Sequence, residues 1–189
     1  MSHEIASRIV EKSPFLTTLV KEGLLDPSGE FLPKRSLDEL RCSPCPSCAY
    51  RFKRVNCDEV KAWEVGYHGN CTGHHVAKIL REGLRQGAKP GAYGHGIYLT
   101  PSFRYCLLYY GFPEQLADGS TLVHSLEVRC REQREHPVFP PSWQQDDVGV
   151  EKHRMEWVVA DSCNAGITAV ITKELRGRTK QEWISAGTV

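Results

Sequence analysis

The chain has 189 residues, 40% of them hydrophobic, with 24 basic and 23 acidic side chains and a formal charge of +1. That length is enough for one compact domain with a core of its own, and the near-neutral balance leaves no overall field to hold a polyanion, so nucleic acid is not favoured as a partner. The N-terminal "MSHEIASRIVEKS" lacks the apolar centre of a signal peptide, and no run of about eighteen apolar residues occurs, so no membrane partner and a cytoplasmic or nuclear location are expected.

In chain order, Ser13 and Pro14 make an N-cap and first-turn pair. Phe15, Leu16, Leu19, Val20 and Leu24 then follow at helical spacing until Gly23 and Pro27 stop the run. Residues 26–48 are rich in proline and read as irregular, with a turn of helix at "SLDEL". The basic run "RFKR" at 51–54 reads as a solvated edge. From Trp63 the pattern changes, which divides the chain into segments 1–62 and 63–189. "WEVGYHGN" is an apolar strand, and "TGHHVAKILREGLRQG" is a helix with Val76, Ile79, Leu80 and Leu84 on one stripe, capped by Thr72 and ended by Gly83 or Gly87. A glycine-rich loop leads to the strand "GIYLT", and "PSFRYCLLYY" starts a helix with Pro101 in its first turn. Residues 120–130 alternate as a strand should, 131–153 form a long polar loop, and "MEWVVAD" and "GITAVITKEL" are two further strands. Strands and helices in this order indicate an α+β domain.

Eight cysteines in such a chain read as thiols or metal ligands rather than as a disulfide framework. Cys42, Cys45, Cys48 and Cys57 fall within sixteen residues, at spacings that let a short loop wrap one structural Zn2+; a metal-free, thiol-rich loop is the alternative. Cys71, Cys106, Cys130 and Cys163 lie singly and read as core packing.

Three separated stretches carry a resemblance: "YHGN", then "GHGIYLTPS" after the "ILREGL" helix, then "MEWVVAD". Their ordered set resembles the catalytic domain of the poly(ADP-ribose) polymerase family, the diphtheria-toxin-like ADP-ribosyltransferases, over roughly residues 63–173. The resemblance implies two packed, mainly antiparallel sheets with few helices around a cleft for NAD+, the substrate. It implies a triad of His68, Tyr98 and Glu156. His68 would bond the adenosine ribose, the Gly69 backbone would reach the nicotinamide carboxamide, and Tyr98 would stack on the nicotinamide ring. Glu156 would hold the 2-hydroxyl of the nicotinamide ribose. Asn70 stands where the family has serine or threonine. The second wall of the nicotinamide pocket falls on Ser102 and Tyr105 by internal spacing, or on Cys106 and Tyr109 by an ungapped reading. Tyr105 and Tyr109 lie four apart on one helix face, and Tyr109 is the preferred wall.

The chemistry needs these residue types on its own account, because cleaving nicotinamide from NAD+ passes through a sugar cation. The site then requires an anion near the ring, a flat surface for the leaving base and fixed donors. Taken singly, His68 is a core histidine satisfied by a backbone carbonyl and Tyr98 a strand aromatic that fills core. The expected activity is NAD+-dependent mono-ADP-ribosyl transfer to a protein acceptor with release of nicotinamide. The alternatives are an inactive NAD+/ADP-ribose-binding or interaction module, and a transferase acting on the 2'-phosphate of transfer RNA, against which the charge and Glu156 speak.

Overall fold

The computed structural model describes residues 2–32, 49–56, 62–69, 72–137 and 155–175. Among them two helices come first, α1 (Ser2–Lys12) and α2 (Pro14–Lys21), then the strands β1 (Glu30–Phe31), β2 (Ala49–Lys53) and β3 (Glu64–His68). Helix α3 (Gly73–Glu82) precedes β4 (Ile97–Leu99), and the short α4 (Phe103–Tyr105) runs into a π-helical turn at Cys106–Tyr110. The remaining strands are β5 (Phe112–Gln115), β6 (Thr121–Cys130), β7 (Gln133–Pro137), β8 (Met155–Val159) and β9 (Ala165–Leu175). Among the described residues no helix is long and apolar enough to cross a membrane.

The strands make two antiparallel sheets, as expected for the α+β class. The larger runs β1-β2-β9-β6-β3, with β5 also paired to β6, and the smaller runs β4-β8-β7. The long strands β6 and β9 are its centre, and their apolar residues face both ways. Leu122, Leu126, Val128 and Val170 pack with Leu16, Leu19, Val76, Leu80, Ile97 and Trp157 on one side. Val123, Ala169 and Ile171 pack with Phe103 and Leu107 on the other. Strand β2 is hydrogen-bonded along its length to β9, so the segments before and after Trp63 share a sheet and a core.

Several local expectations are corrected. Arg51 and Phe52 of the basic run are strand interior, not solvated edge. The Arg51 guanidinium is buried because Glu127 of β6 accepts from its Nε at 2.9 and 3.0 Å and from its Nη2 at 2.6 Å. Thr168, the extra residue where the β6–β9 register shifts, also donates its hydroxyl to Glu127, at 2.6 Å. A buried charge survives only with such pairing. The start of the polar loop, 133–137, is strand β7, while the rest of that loop lies outside the described residues. Cys106 and Cys130 are buried as expected, but Cys163 is exposed, on a turn after β8. Ser13 caps α2 through the Leu16 N–H, whereas Thr72 at the start of α3 makes no side-chain cap.

One carboxylate ties the junction of the first two helices to the sheet, and a second, Asp118 of the β5–β6 turn, pairs with Lys12 of α1 at 2.8 Å. Glu114 of β5 accepts from the Ser13 hydroxyl at 2.5 Å, from the Phe15 N–H at 2.9 Å and from His124 Nε2 at 3.0 Å. With Nε2 donating, His124 Nδ1 accepts from the Thr172 hydroxyl at 2.9 Å, so the neutral ring is fully satisfied. Burial, opposed in part by Glu114, lowers the proton affinity of His124. Burial alone would raise that of Glu114, but the bonds from His124, Ser13 and Phe15 outweigh it and hold the carboxyl below its ordinary range.

The native state therefore binds fewer protons here than the unfolded chain. The His124 contribution is complete above its ordinary value of 6.5 and is progressively lost as pH falls below it toward the lowered native value, with a further loss from Glu114 below 4.5. Thermal melts should show a falling midpoint between about pH 7.5 and 5. Glu114→Gln should cost about 2 kcal/mol in urea denaturation, since the amide turns a donor toward one of three donors. A pH-independent midpoint, or a variant as stable as the parent, would contradict this account of the tie.

Candidate functional site

The two sheets meet where β3 passes β4. Tyr67 and Thr100 exchange both backbone hydrogen bonds, at 2.8 and 3.0 Å, so the ladder is intact there. In antiparallel register the next pair facing across this gap is Gly69 and Tyr98. The ladder does not continue. The Tyr98 carbonyl instead takes the Nδ1–H of His68, at 2.8 Å. By strand alternation Gly69 turns its N–H and C=O toward this gap, and neither is hydrogen-bonded among the described residues. The imidazole thus takes an acceptor that a strand pair would have used, and among the described residues the pairing of β3 with β4 ends there.

His68 is the last residue of β3. Burial lowers its proton affinity and the bond to Tyr98 offsets this only in part, so the ring is neutral at pH 7. With Nδ1 donating, Nε2 carries the lone pair and has no partner among the described residues. One nitrogen is satisfied as in a core histidine; the other remains an acceptor.

Gly69 is closely opposed by the π-helical turn. A Cβ built on it would lie 2.4 Å from the Tyr110 carbonyl oxygen and 2.6 Å from Tyr110 Cβ, closer than any side chain can sit. Only glycine lets the turn approach β3 this nearly. From there the Tyr110 hydroxyl donates to Glu156 Oε1 of β8 at 2.5 Å. Burial first, then the carboxylate and Tyr105, raise the Tyr110 phenol well above its ordinary range, so it stays protonated. Glu156 lies next to Trp157, which pairs with Leu99 of β4, so β3, β4 and β8 bring His68, Gly69, Tyr98 and Glu156 to one junction.

Tyr98 occupies the middle of β4, but its hydroxyl is committed to the glycine-rich loop. It donates to the Gly94 carbonyl at 2.9 Å and accepts the Tyr93 N–H at 2.7 Å. A Cβ at Gly91 would fall 2.6 Å from the phenol Cζ and oxygen, so that loop packs against the hydroxyl end of the ring. Tyr93 in turn stacks on His136 of β7, with ring centres 4.4 Å apart.

The other expected residues are placed differently. Ser102 is buried and caps α4 by accepting the Tyr105 N–H at 3.2 Å. Tyr105 is buried with its hydroxyl 3.5 Å from that of Tyr110. Tyr109, preferred as the second wall, contacts the Tyr105 ring at 4.9 Å but is 39% exposed. The residue that reaches Glu156 is Tyr110, which reading this segment as an α-helix passes over. A π-helical turn closes its bonds five residues on, which brings Tyr110 to the Tyr105 side. His74, His75 and His95 are exposed, as loop or helix-end residues should be. Asn70 and the four clustered cysteines Cys42, Cys45, Cys48 and Cys57 lie outside the described residues.

The arrangement joins a neutral imidazole acceptor, a peptide N–H and C=O without partners among the described residues, a carboxylate and two tyrosines. It can orient a hydroxylated, amide-bearing ligand and stabilise positive charge beside the carboxylate. No family model matches the chain, and no curated protein matches it at a significant level.

The close approach at Gly69 gives a direct test. Gly69→Ala should cost about 1–3 kcal/mol in denaturant unfolding, because backbone atoms, not a flexible side-chain end, must move. Gly166→Ala, where nothing lies within 4 Å, should change stability by less than about 0.5 kcal/mol. Equal effects at the two sites would contradict the steric reading of Gly69.

Proposed function

We propose that the protein is an NAD+-dependent ADP-ribosyltransferase that transfers mono-ADP-ribose to a protein acceptor, and that its two sheets form the ADP-ribosyltransferase fold. The observation that carries this reading is the end of strand pairing at His68, which leaves the Gly69 peptide groups without partners among the described residues, while Tyr110, packed on Gly69, bonds Glu156. A nicotinamide carboxamide offers one carbonyl acceptor and an NH2 donor, the complement of a peptide N–H and C=O lying side by side. His68 Nε2 is left to accept from a hydroxyl of the adenosine ribose, and Tyr98 supplies a ring for the nicotinamide.

In the reaction the bond between the ribose anomeric carbon and the nicotinamide nitrogen breaks. Its electron pair goes to that nitrogen, so neutral nicotinamide leaves. The sugar becomes cationic, and the Glu156 carboxylate stabilises it while bonding the 2-hydroxyl. A lone pair of the acceptor side chain then forms the new bond to the anomeric carbon, and the acceptor's proton passes to solvent.

Release of nicotinamide by the purified chain, with calorimetry of NAD+ binding, tests the reading. Glu156→Gln should lower turnover by roughly 10²–10³-fold while NAD+ affinity stays within a few-fold, because the charge matters chiefly as the cation forms. His68→Ala should weaken NAD+ binding at least about tenfold, since it removes a contact that exists before the bond breaks and frees the Tyr98 carbonyl to pair with Gly69. Binding without any turnover in the parent protein would instead favour an NAD+-binding module.

A further inference from the structure

Glu156 sits on a strand with a side chain of three rotatable bonds, and a carboxylate that stabilises a transient cation must be held in one orientation. Among the described residues its one hydrogen-bond partner is Tyr110. That tyrosine is fixed at both ends. Its backbone is pressed against Gly69, and its ring lies edge-on to Tyr105, with centres 5.6 Å apart. Its hydroxyl ends on Oε1.

We propose that Tyr110 is a positioning residue for Glu156: it occupies Oε1 and so presents Oε2 as the oxygen that meets the substrate. This rests on the transferase reading above. The π-helical turn supplies the placement, because it delivers position 110 rather than 109 to the carboxylate. Since burial and the neighbouring charge keep the phenol protonated, it donates throughout the working pH range. The same contact ties the histidine–glycine corner of β3 to β8, so the distance between the carboxamide-binding groups and the carboxylate is set by one side chain. Tyr110 touches no reacting atom; it acts through Glu156.

Tyr110→Phe keeps the ring and removes the hydroxyl. In the full chain it should lower kcat for nicotinamide release about tenfold while KM for NAD+ stays within about twofold, the pattern of an interaction used only as the bond breaks. A loss confined to KM, or an unchanged kcat, would overturn the proposal while leaving the transferase reading intact. A parent protein that neither binds nor cleaves NAD+ would overturn both. A second measurement needs no turnover. With tyrosine carrying 13C at Cζ, the Tyr110 signal should not titrate below about pH 11, and Glu156→Gln should bring its titration back toward the ordinary phenol range. A Tyr110 that titrates as a free phenol, indifferent to Glu156→Gln, would overturn the contact itself.

Discussion

The hydrogen bond from His68 Nδ1 to the Tyr98 carbonyl is the constraint on which the junction depends. One residue pair earlier the strands are joined normally, through Tyr67 and Thr100. At Tyr98 a side chain takes the acceptor, and the peptide groups of Gly69 lose their place in a ladder. Unpaired backbone groups are costly when buried. A structure that keeps them at a strand end, beside a carboxylate and an imidazole lone pair, retains binding capacity there at the expense of stability. The same bond fixes the tautomer of His68, and with it the acceptor character of Nε2.

Sterics fix the other wall. Because Gly69 has no side chain, the Cys106–Tyr110 turn lies on β3, and because the turn is π-helical, Tyr110 rather than Tyr109 points inward. Behind it the Arg51–Glu127 pair and the Thr168 hydroxyl lock the register of β2, β9 and β6. On the opposite side Glu114 holds the first two helices. Glu127 is buried with its partners and Glu114 partly so, and each ties chain segments far apart in sequence.

How much of this is legible in the sequence depends on the range of the interaction responsible. Ser13–Pro14, the Val76–Leu84 stripe and the alternation of 120–130 are local patterns, and the structure has α2, α3 and β6 there. His68 and Tyr98 stand in strands as expected. Strand β2 was hidden because "RFKR" looks solvated unless Glu127, seventy-six residues away, is known to receive Arg51. Strand β7 is hidden because Gln133, Arg134, Glu135 and His136 are polar, none of them is buried, and the pairing with β8 supplies the order. Tyr110 was hidden because spacing rules assume 3.6 residues per turn, and no residue type announces a π-helical turn. The exposure of Cys163 is not legible because a single cysteine carries no periodicity to place it.

The most direct measurement is a titration of the 15N-labelled protein with nicotinamide alone, following backbone amides. If the end of the β3–β4 pairing forms a carboxamide site, the Gly69 amide proton should move downfield with saturation, among the largest changes in the protein, and the His68→Ala protein should lose that response as Tyr98 and Gly69 close into a ladder. Unchanged Gly69 and Tyr98 resonances at saturating nicotinamide, or changes confined to a distant surface, would contradict the account.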